Sequence, residues 1–259
     1  MNLRAGQQAG PIIRVEGFTA GYGDSVVLDD IAFEVARGEI FVILGGSGCG
    51  KSTLLKHMIG LYEPMAGHVF IDGDDMVGAD MRTRQRMLRK IGVTYQSGAL
   101  FGSMTLLENI RLPMEEFTEL PNETMDLIAR MKLSLVGLLG FEHHFPAELS
   151  GGMVKRAAIA RAMALDPMIL FLDEPSAGLD PITSAELDRL ILGLRESLGV
   201  TFVIVSHELP SIYTIADRVI MLDKRFKKIV ANGNPAELRD HSDNPWVRRF
   251  FNREPETAQ

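Results

Sequence analysis

Only one cysteine, Cys49, occurs among the 259 residues, so no disulfide can form within the chain, and the sequence suits a reducing compartment. No apolar run approaches the ~20 residues that a membrane-crossing helix needs, so the chain cannot by itself form a path through a bilayer. Residues 1–10 lack the hydrophobic stretch of a secretory signal. Basic residues are in deficit, 27 Lys and Arg against 34 Asp and Glu, and the formal net charge of −7 argues against free nucleic acid as the main partner. These absences predict a cytosolic protein. What remains is ordinary: 46% hydrophobic and 24% charged residues, in a length that fits one large domain or two small ones, either able to bury a sizeable core.

One stretch organises the rest. Gly45, Gly46, Ser47, Gly48, Cys49, Gly50, Lys51, Ser52 and Thr53 follow an apolar run at 40–44 that reads as a buried strand, and precede a helical segment at 54–59 closed by Gly60. In that context G-x-x-x-x-G-K-[ST] is a phosphate site rather than a plain glycine-rich turn. The glycines let the backbone curl so that several N–H groups face one anion, and the helix beginning near Lys51 adds its positive end. Lys51 supplies a mobile cation for the outer phosphates, and the Ser52 hydroxyl can ligate Mg²⁺.

Residues 12–44 alternate with period 2, as half-buried strands do. In the turn at 21–24, Tyr22 is either a turn residue with a wet hydroxyl or a ring stacking on a base, and the second requires the loop to fold towards the phosphate site. Further strands are expected at 67–71 and 91–95, with a basic, solvated helix over 82–90 between them; Gln96, at a strand end, could reach Mg²⁺ or an attacking water. Helices are then predicted at 105–110 and 123–139, a helical insertion in an α/β core. The adjacent His143 and His144 lack metal-site spacing.

Ser150, Gly151 and Gly152 lead into a helix predicted over 154–165, and are either a simple N-cap with a flexible lead-in or a second anion site of N–H groups, a hydroxyl and a dipole. The continuously apolar run 168–172 reads as a central parallel strand ending in Asp173 and Glu174. Beside a phosphate loop, Asp173 should hold the Mg²⁺ shell, and Glu174, one residue further out, could polarise a water against the γ-phosphate. A turn at 176–181 opens a helix over 182–198, and a buried strand at 201–205 ends in Ser206 and His207; a lone histidine is usually structural, but at the C-terminal edge of such a sheet His207 is a candidate γ-phosphate contact. A hairpin is expected around 224–228. In the tail, Trp246, Phe250 and Phe251 share one helical face, which suggests that the tail docks on something.

The order of these motifs resembles the nucleotide-binding subunit of an ABC (ATP-binding cassette) transporter over essentially the whole chain. Residues 45–52 match Walker A, 149–152 the ABC signature and 169–173 Walker B, with Glu174 as its catalytic carboxylate; Tyr22 matches the A-loop, Gln96 the Q-loop, 176–180 with Asp180 the D-loop, and His207 the switch histidine. The resemblance implies a P-loop NTPase (RecA-like) α/β core with an N-terminal antiparallel β subdomain and an inserted α-helical subdomain. The divisions are 1–96 with 160–239 for the core, 97–159 for the helical subdomain with the signature, and 240–259 for the tail. It implies catalysis by Glu174 and His207. ATP would be bound by Tyr22, the loop Gly45 to Thr53, Gln96, Ser150, Gly151, Gly152, Met153 and Asp180, and Mg²⁺ would be held by Ser52, Gln96 and Asp173. It also implies a head-to-tail homodimer, in which the second anion site caps the ATP of the other protomer.

A narrower resemblance, to the ATPases of MCE-type lipid transporters, rests on Met153 where most transporters of this class carry Gln, on Gly46 where Pro is commoner, and on the stretches 149–161, 175–181 and 206–209. It implies lipid transport at the cytoplasmic face of an inner membrane. The implied partners are an integral membrane permease, a periplasmic MCE-domain protein, a small STAS-domain protein and a tail that crosses to the neighbouring protomer. The alternative within the class is an importer subunit for a polar solute such as an amino acid. A soluble cassette acting on ribosomes or DNA fits less well, and a purely regulatory nucleotide binder is opposed by Asp173, Glu174 and His207. Finally, Cys49 is either a small filler or a thiol acidified by the helix N-terminus and Lys51, hence easily alkylated and protected by ATP.

Overall fold

The computed structural model describes residues 10–254. Residues 1–9 and 255–259, which include most of the segment without a signal sequence and the end of the tail, lie outside that range. In chain order the elements are β1 (Ile13–Tyr22), β2 (Ser25–Val35), β3 (Ile40–Gly45), α1 (Lys51–Met58), β4 (Ala66–Ile71), β5 (Asp74–Asp75), α2 (Met81–Arg89) and β6 (Ile91–Thr94). Three helices follow with no strand between them: α3 (Leu106–Phe117), α4 (Asn122–Leu135) and α5 (Gly151–Ala162). Alternation then resumes with β7 (Ile169–Asp173), α6 (Pro181–Leu198), β8 (Thr201–Val205), α7 (Leu209–Ile215), β9 (Arg218–Asp223), β10 (Lys228–Gly233), α8 (Pro235–His241) and α9 (Pro245–Asn252).

Two sheets result. The first is antiparallel, in the order β2-β1-β4-β5. The second runs β10-β9-β3-β8-β7-β6, and all its pairings are parallel except that of β10 on β9. Its central strands are apolar on both faces, and alternate residues feed two cores. Ile40, Val42, Leu44, Leu170, Leu172, Phe202 and Ile204 pack against α3 to α7. Phe41, Ile43, Ile169, Phe171, Val203 and Val205 pack against α1 and the antiparallel sheet. That two-sided burial is why β3, β7 and β8 read as unbroken apolar runs, whereas β1 and β2, with one side wet, alternate.

Several helix boundaries differ from those the sequence predicts, each for a local reason. The helix predicted at 105–110 continues through Pro113 to Phe117. A capping box between Thr105 and Glu108 starts it, and burial of Ile110 and Met114 extends it past a residue that ordinarily costs about 3 kcal/mol inside a helix. The helix predicted to reach 139 stops at Leu135, because Gly137 turns left-handed (φ 72°). Its N–H reaches the Ser134 carbonyl, and the Leu138 N–H reaches Leu133 at 2.8 Å, which closes a Schellman motif. The helix predicted over 154–165 is displaced towards the N-terminus: Ser150 caps it, so Gly151 and Gly152 form its first turn.

The tail helix α9 lies against the chain's own core. Val247 and Phe251 are buried, and the Tyr213 hydroxyl donates to the Phe251 carbonyl at 3.0 Å. No helix among the described residues is long and apolar enough to cross a membrane.

Candidate functional site

Parallel pairing sends the C-terminal ends of β3, β8, β7 and β6 to one edge of the second sheet. Registers of Ile43 with Val205, Asp173 with Val205 and Thr94 with Leu172 bring those ends level. The phosphate loop after β3, the Asp173 and Glu174 pair after β7, His207 beyond β8 and Gln96 beyond β6 therefore line one crevice edge, the place where open α/β sheets bind ligands.

The loop itself is shaped by close approach. At Gly45 (φ 147°) a Cβ would stand 2.4 Å from the Leu222 carbonyl oxygen and 2.6 Å from Cys49 Sγ, so no side chain fits. Gly46, Ser47 and Gly48 are exposed, whereas Cys49 and Gly50 turn inward. The Lys51 ammonium folds back over the loop and donates to the carbonyls of Gly45 at 2.9 Å and Gly46 at 3.2 Å. Ser52 is exposed in the first turn of α1, and Thr53 is buried.

The turn that carries Tyr22 folds towards the phosphate loop. The tyrosine hydroxyl lies 3.2 Å from Thr53 Oγ1, and with Val27 and residues 48–53 Tyr22 lines a cavity of 260 Å³. Cys49, by contrast, is 1% exposed, and burial raises its thiol above the ordinary value despite the opposing pull of Lys51. The acidified, readily alkylated thiol expected from the helix N-terminus is thereby corrected. The loop geometry turns the sulfur into the core behind Gly45, where desolvation outweighs the nearby cation.

At the acidic end, Glu174 adopts a left-handed backbone (φ 49°), rare for a residue with a Cβ. That turn brings its carboxylate to His207: Glu174 Oε1 is 2.8 Å from His207 Nδ1. The other oxygen, Oε2, is buried without a hydrogen-bond partner. Burial first, and then the neighbouring Glu174 charge, raise the Asp173 carboxyl above the usual range, while Lys51 pulls it down. Gln96 is exposed two residues past Thr94, the last residue of β6.

The second predicted anion site stands apart. Ser150 is exposed and its Oγ accepts from the Met153 N–H at 3.3 Å; among the described residues no hydrogen bond joins 150–153 to the phosphate loop. The Met153 side chain packs against the core. The Asp180 carboxylate caps α6, accepting from the N–H groups of Ile182 and Thr183 and from the Thr183 hydroxyl, and these bonds hold it below the usual carboxylate range. One residue at the site escaped the sequence reading. The Lys155 ammonium, from α5, donates to the carbonyls of both Gln96 and Glu174. A lysine on a helix carries no signal of that kind until the fold is known.

Known proteins resemble the chain over most of its length. The ABC transporter family profile matches residues 28–177. The chain is 41% identical to the "Probable ribonucleotide transport ATP-binding protein mkl" of Mycobacterium leprae (strain TN), over 94% of this chain and 69% of that one. It is 43% identical to the intermembrane phospholipid transport system ATP-binding protein MlaF of Escherichia coli (strain K12), over 88% of this chain and 84% of that one. Among solved structures, the dimeric post-hydrolysis state of the ATP-binding cassette MJ0796, bound to ADP and Pi, superposes with a TM-score of 0.77 at 30% identity, covering 86% of this chain and 98% of that one. CbiO1 from Clostridium perfringens, part of the cbiONQ ABC transporter complex, gives a TM-score of 0.81 at 28% identity, with 90% and 92% covered. A phosphate loop, an acidic strand end and a facing histidine on one sheet edge, within a chain matched along this much of its length, leave one conclusion: the chain belongs to the ABC transporter family and is an ATP-binding, ATP-hydrolysing member of it.

Proposed function

We propose that the chain powers phospholipid movement between membranes, as the ATPase bound to an integral membrane permease on the cytoplasmic face of an inner membrane. The observation that carries the catalytic part is the Glu174 and His207 contact at the sheet edge beside the phosphate loop; the similarity to MlaF supports the lipid. Lys51 and the loop 45–53 bind the phosphates, with the Tyr22 ring against the base. Glu174 positions and polarises the attacking water, and His207 holds that carboxylate in place and contacts the γ-phosphate. Catalysis on this account is positioning and charge stabilisation.

The donors fit Mg²⁺: the Ser52 hydroxyl, the Gln96 amide oxygen and the Asp173 carboxylate are hard oxygen ligands, and a divalent cation offsets the desolvation that lifts Asp173. When bound, the ion neutralises charge on the β- and γ-phosphates. Two chains pair head to tail, so that Ser150, Gly151, Gly152 and Met153 of one, with Asp180 nearby, close over the ATP of the other. The exposed placement of Ser150, away from its own phosphate loop, supports this. The functional divisions are the core (1–96 and 160–239), a helical subdomain (97–159) and a tail (240–259) that also reaches the partner protomer. A STAS-domain protein and a periplasmic MCE-domain protein complete the assembly.

Glu174→Gln is expected to bind ATP with near-normal affinity and to accumulate as an ATP-bound dimer, while turnover falls by about 10²-fold or more. Retained turnover excludes Glu174 as the group that activates water. A second reading, an importer subunit for a polar solute, is favoured by the name of the mycobacterial relative. Purification with the permease separates the two: co-purified phospholipid supports the first, and solute-stimulated ATPase activity without lipid supports the second.

A further inference from the structure

The helix α5 leaves the signature residues and runs beneath the catalytic edge of its own protomer. Its N-cap, Ser150, is exposed. One turn further on, Lys155 is half-buried and its ammonium bridges two backbone carbonyls. The first belongs to Gln96, and the second to Glu174, at 3.4 Å. Those carbonyls lie in the two loops that flank the γ-phosphate position, one after β6 and one after β7. The second loop is the strained one, with Glu174 left-handed and one carboxylate oxygen buried unpartnered. An ammonium beneath that peptide fixes the direction in which the carboxylate points. Arg161, one and a half turns further along the same helix, donates to the Ala99 carbonyl at 2.7 Å and so anchors the other end of the Gln96 loop.

We propose that Lys155 is a positioning residue for hydrolysis, a cationic strut that ties the helix bearing the signature to the Gln96 and Glu174 loops of the same protomer. Its two hydrogen bonds go to backbone carbonyls. The inference rests on the site reading above, in which Gln96 and Glu174 serve the γ-phosphate. Its consequence is a mechanical link between two half-sites. The signature end of α5 meets one ATP, while Lys155 sets the catalytic geometry around the other, so a shift of α5 on closure at one site is transmitted to the carboxylate at its neighbour. Burial lowers the ammonium's pKa, opposed in part by the charges of Glu174, Asp173 and Glu208.

The test uses the full chain with its partners, at saturating ATP. Lys155→Met should lower kcat by about tenfold or more while changing affinity for a non-hydrolysable ATP analogue by less than about twofold, because the lost contact orients the catalytic groups without holding nucleotide. Lys155→Arg, which keeps a charged donor of similar reach, should recover most of that loss. Lys132→Met is the control: it removes another buried lysine tie of the inserted helices, to Asp166 at 2.5 Å, remote from the catalytic edge, and should leave kcat within about twofold. Should Lys155→Met not fold, Lys155→Gln replaces it with the same expectation. Wild-type turnover in the Lys155 variant overturns the proposal, as does a parallel loss of affinity and kcat, an arginine variant no better than methionine, or an equal loss in the Lys132 control. A Glu174→Gln protein that still turns over overturns the site reading itself, and the strut with it, whatever the lysine variants do.

Discussion

At Cys49 two residue-scale effects compete. The helix N-terminus and Lys51 favour a thiolate, and burial favours the neutral thiol. Motif reading sees the first, because loop, helix and lysine are all written in the sequence. It does not see the second, because the direction of one side chain depends on Leu222 closing in over Gly45 from a strand almost 180 residues away. The outcome has a sign that can be checked. A thiol whose pKa is raised on folding adds stability that is present below the unfolded value, about 8.5, and is lost as the pH rises through the folded one. At pH 8, Cys49 of the folded chain should react with an aromatic disulfide at least about tenfold more slowly than in urea, and ATP should add little further protection. Fast labelling that ATP blocks would restore the reactive-thiol reading. Tyr22 shows the same dependence on the fold: the sequence by itself favours a plain turn residue, and only the folded chain brings its hydroxyl to Thr53 beside the loop.

Helices show which elements the sequence encodes locally. β3, β7 and β8 are legible because a strand buried on both faces must be apolar throughout, whatever its neighbours. The end of α4 is harder. Leu138 and Leu139 prolong the apolar pattern past Gly137, and the pattern alone carries the helix to 139. The chain stops earlier because Gly137 is free to turn left-handed and hand its N–H to Ser134. Gly137→Ala keeps the space, since the nearest atom to an added Cβ is an Arg156 nitrogen at 3.7 Å, but forces an L residue into that backbone. It should destabilise the chain by about 1 kcal/mol with ATP affinity unchanged, read from urea unfolding monitored by circular dichroism. A stabilised Gly137→Ala protein would mean that the helix does extend. α3 differs in the opposite sense: a helix predicted only to 110 runs on to Phe117, because Ile110 and Met114 straddle Pro113 on the buried face and tertiary packing overrides the proline's local cost.

Across the whole molecule, the convergence of the candidate site residues on one sheet edge was readable because parallel β-strands deliver their C-terminal residues to one side. Once 45, 96, 173 and 207 are recognised as strand ends, the sheet brings them together. The tail carries no such rule. Its aromatic face announces a docked helix without naming the surface, and its seat on this chain depends on Tyr213 and on α8, elements from another part of the fold. Trp246 also lines a 340 Å³ cavity with Gly46, Ser47 and Asp223, so α9 stands close behind the phosphate loop of its own protomer. If the helix is part of this protomer's core, Phe251→Ala should cost about 3 kcal/mol, and the loss should be the same at low and high protein concentration without ATP, where dimer closure contributes nothing. Trp246 is the only tryptophan, so its fluorescence in a urea titration reads α9 directly, and far-ultraviolet circular dichroism reads the sheet. Coincident transitions at a lowered midpoint establish α9 as integral to the fold. A Trp246 transition well before the global one, with global stability unchanged, would mean that the helix rests only lightly on its own chain and is held mainly by a second protomer.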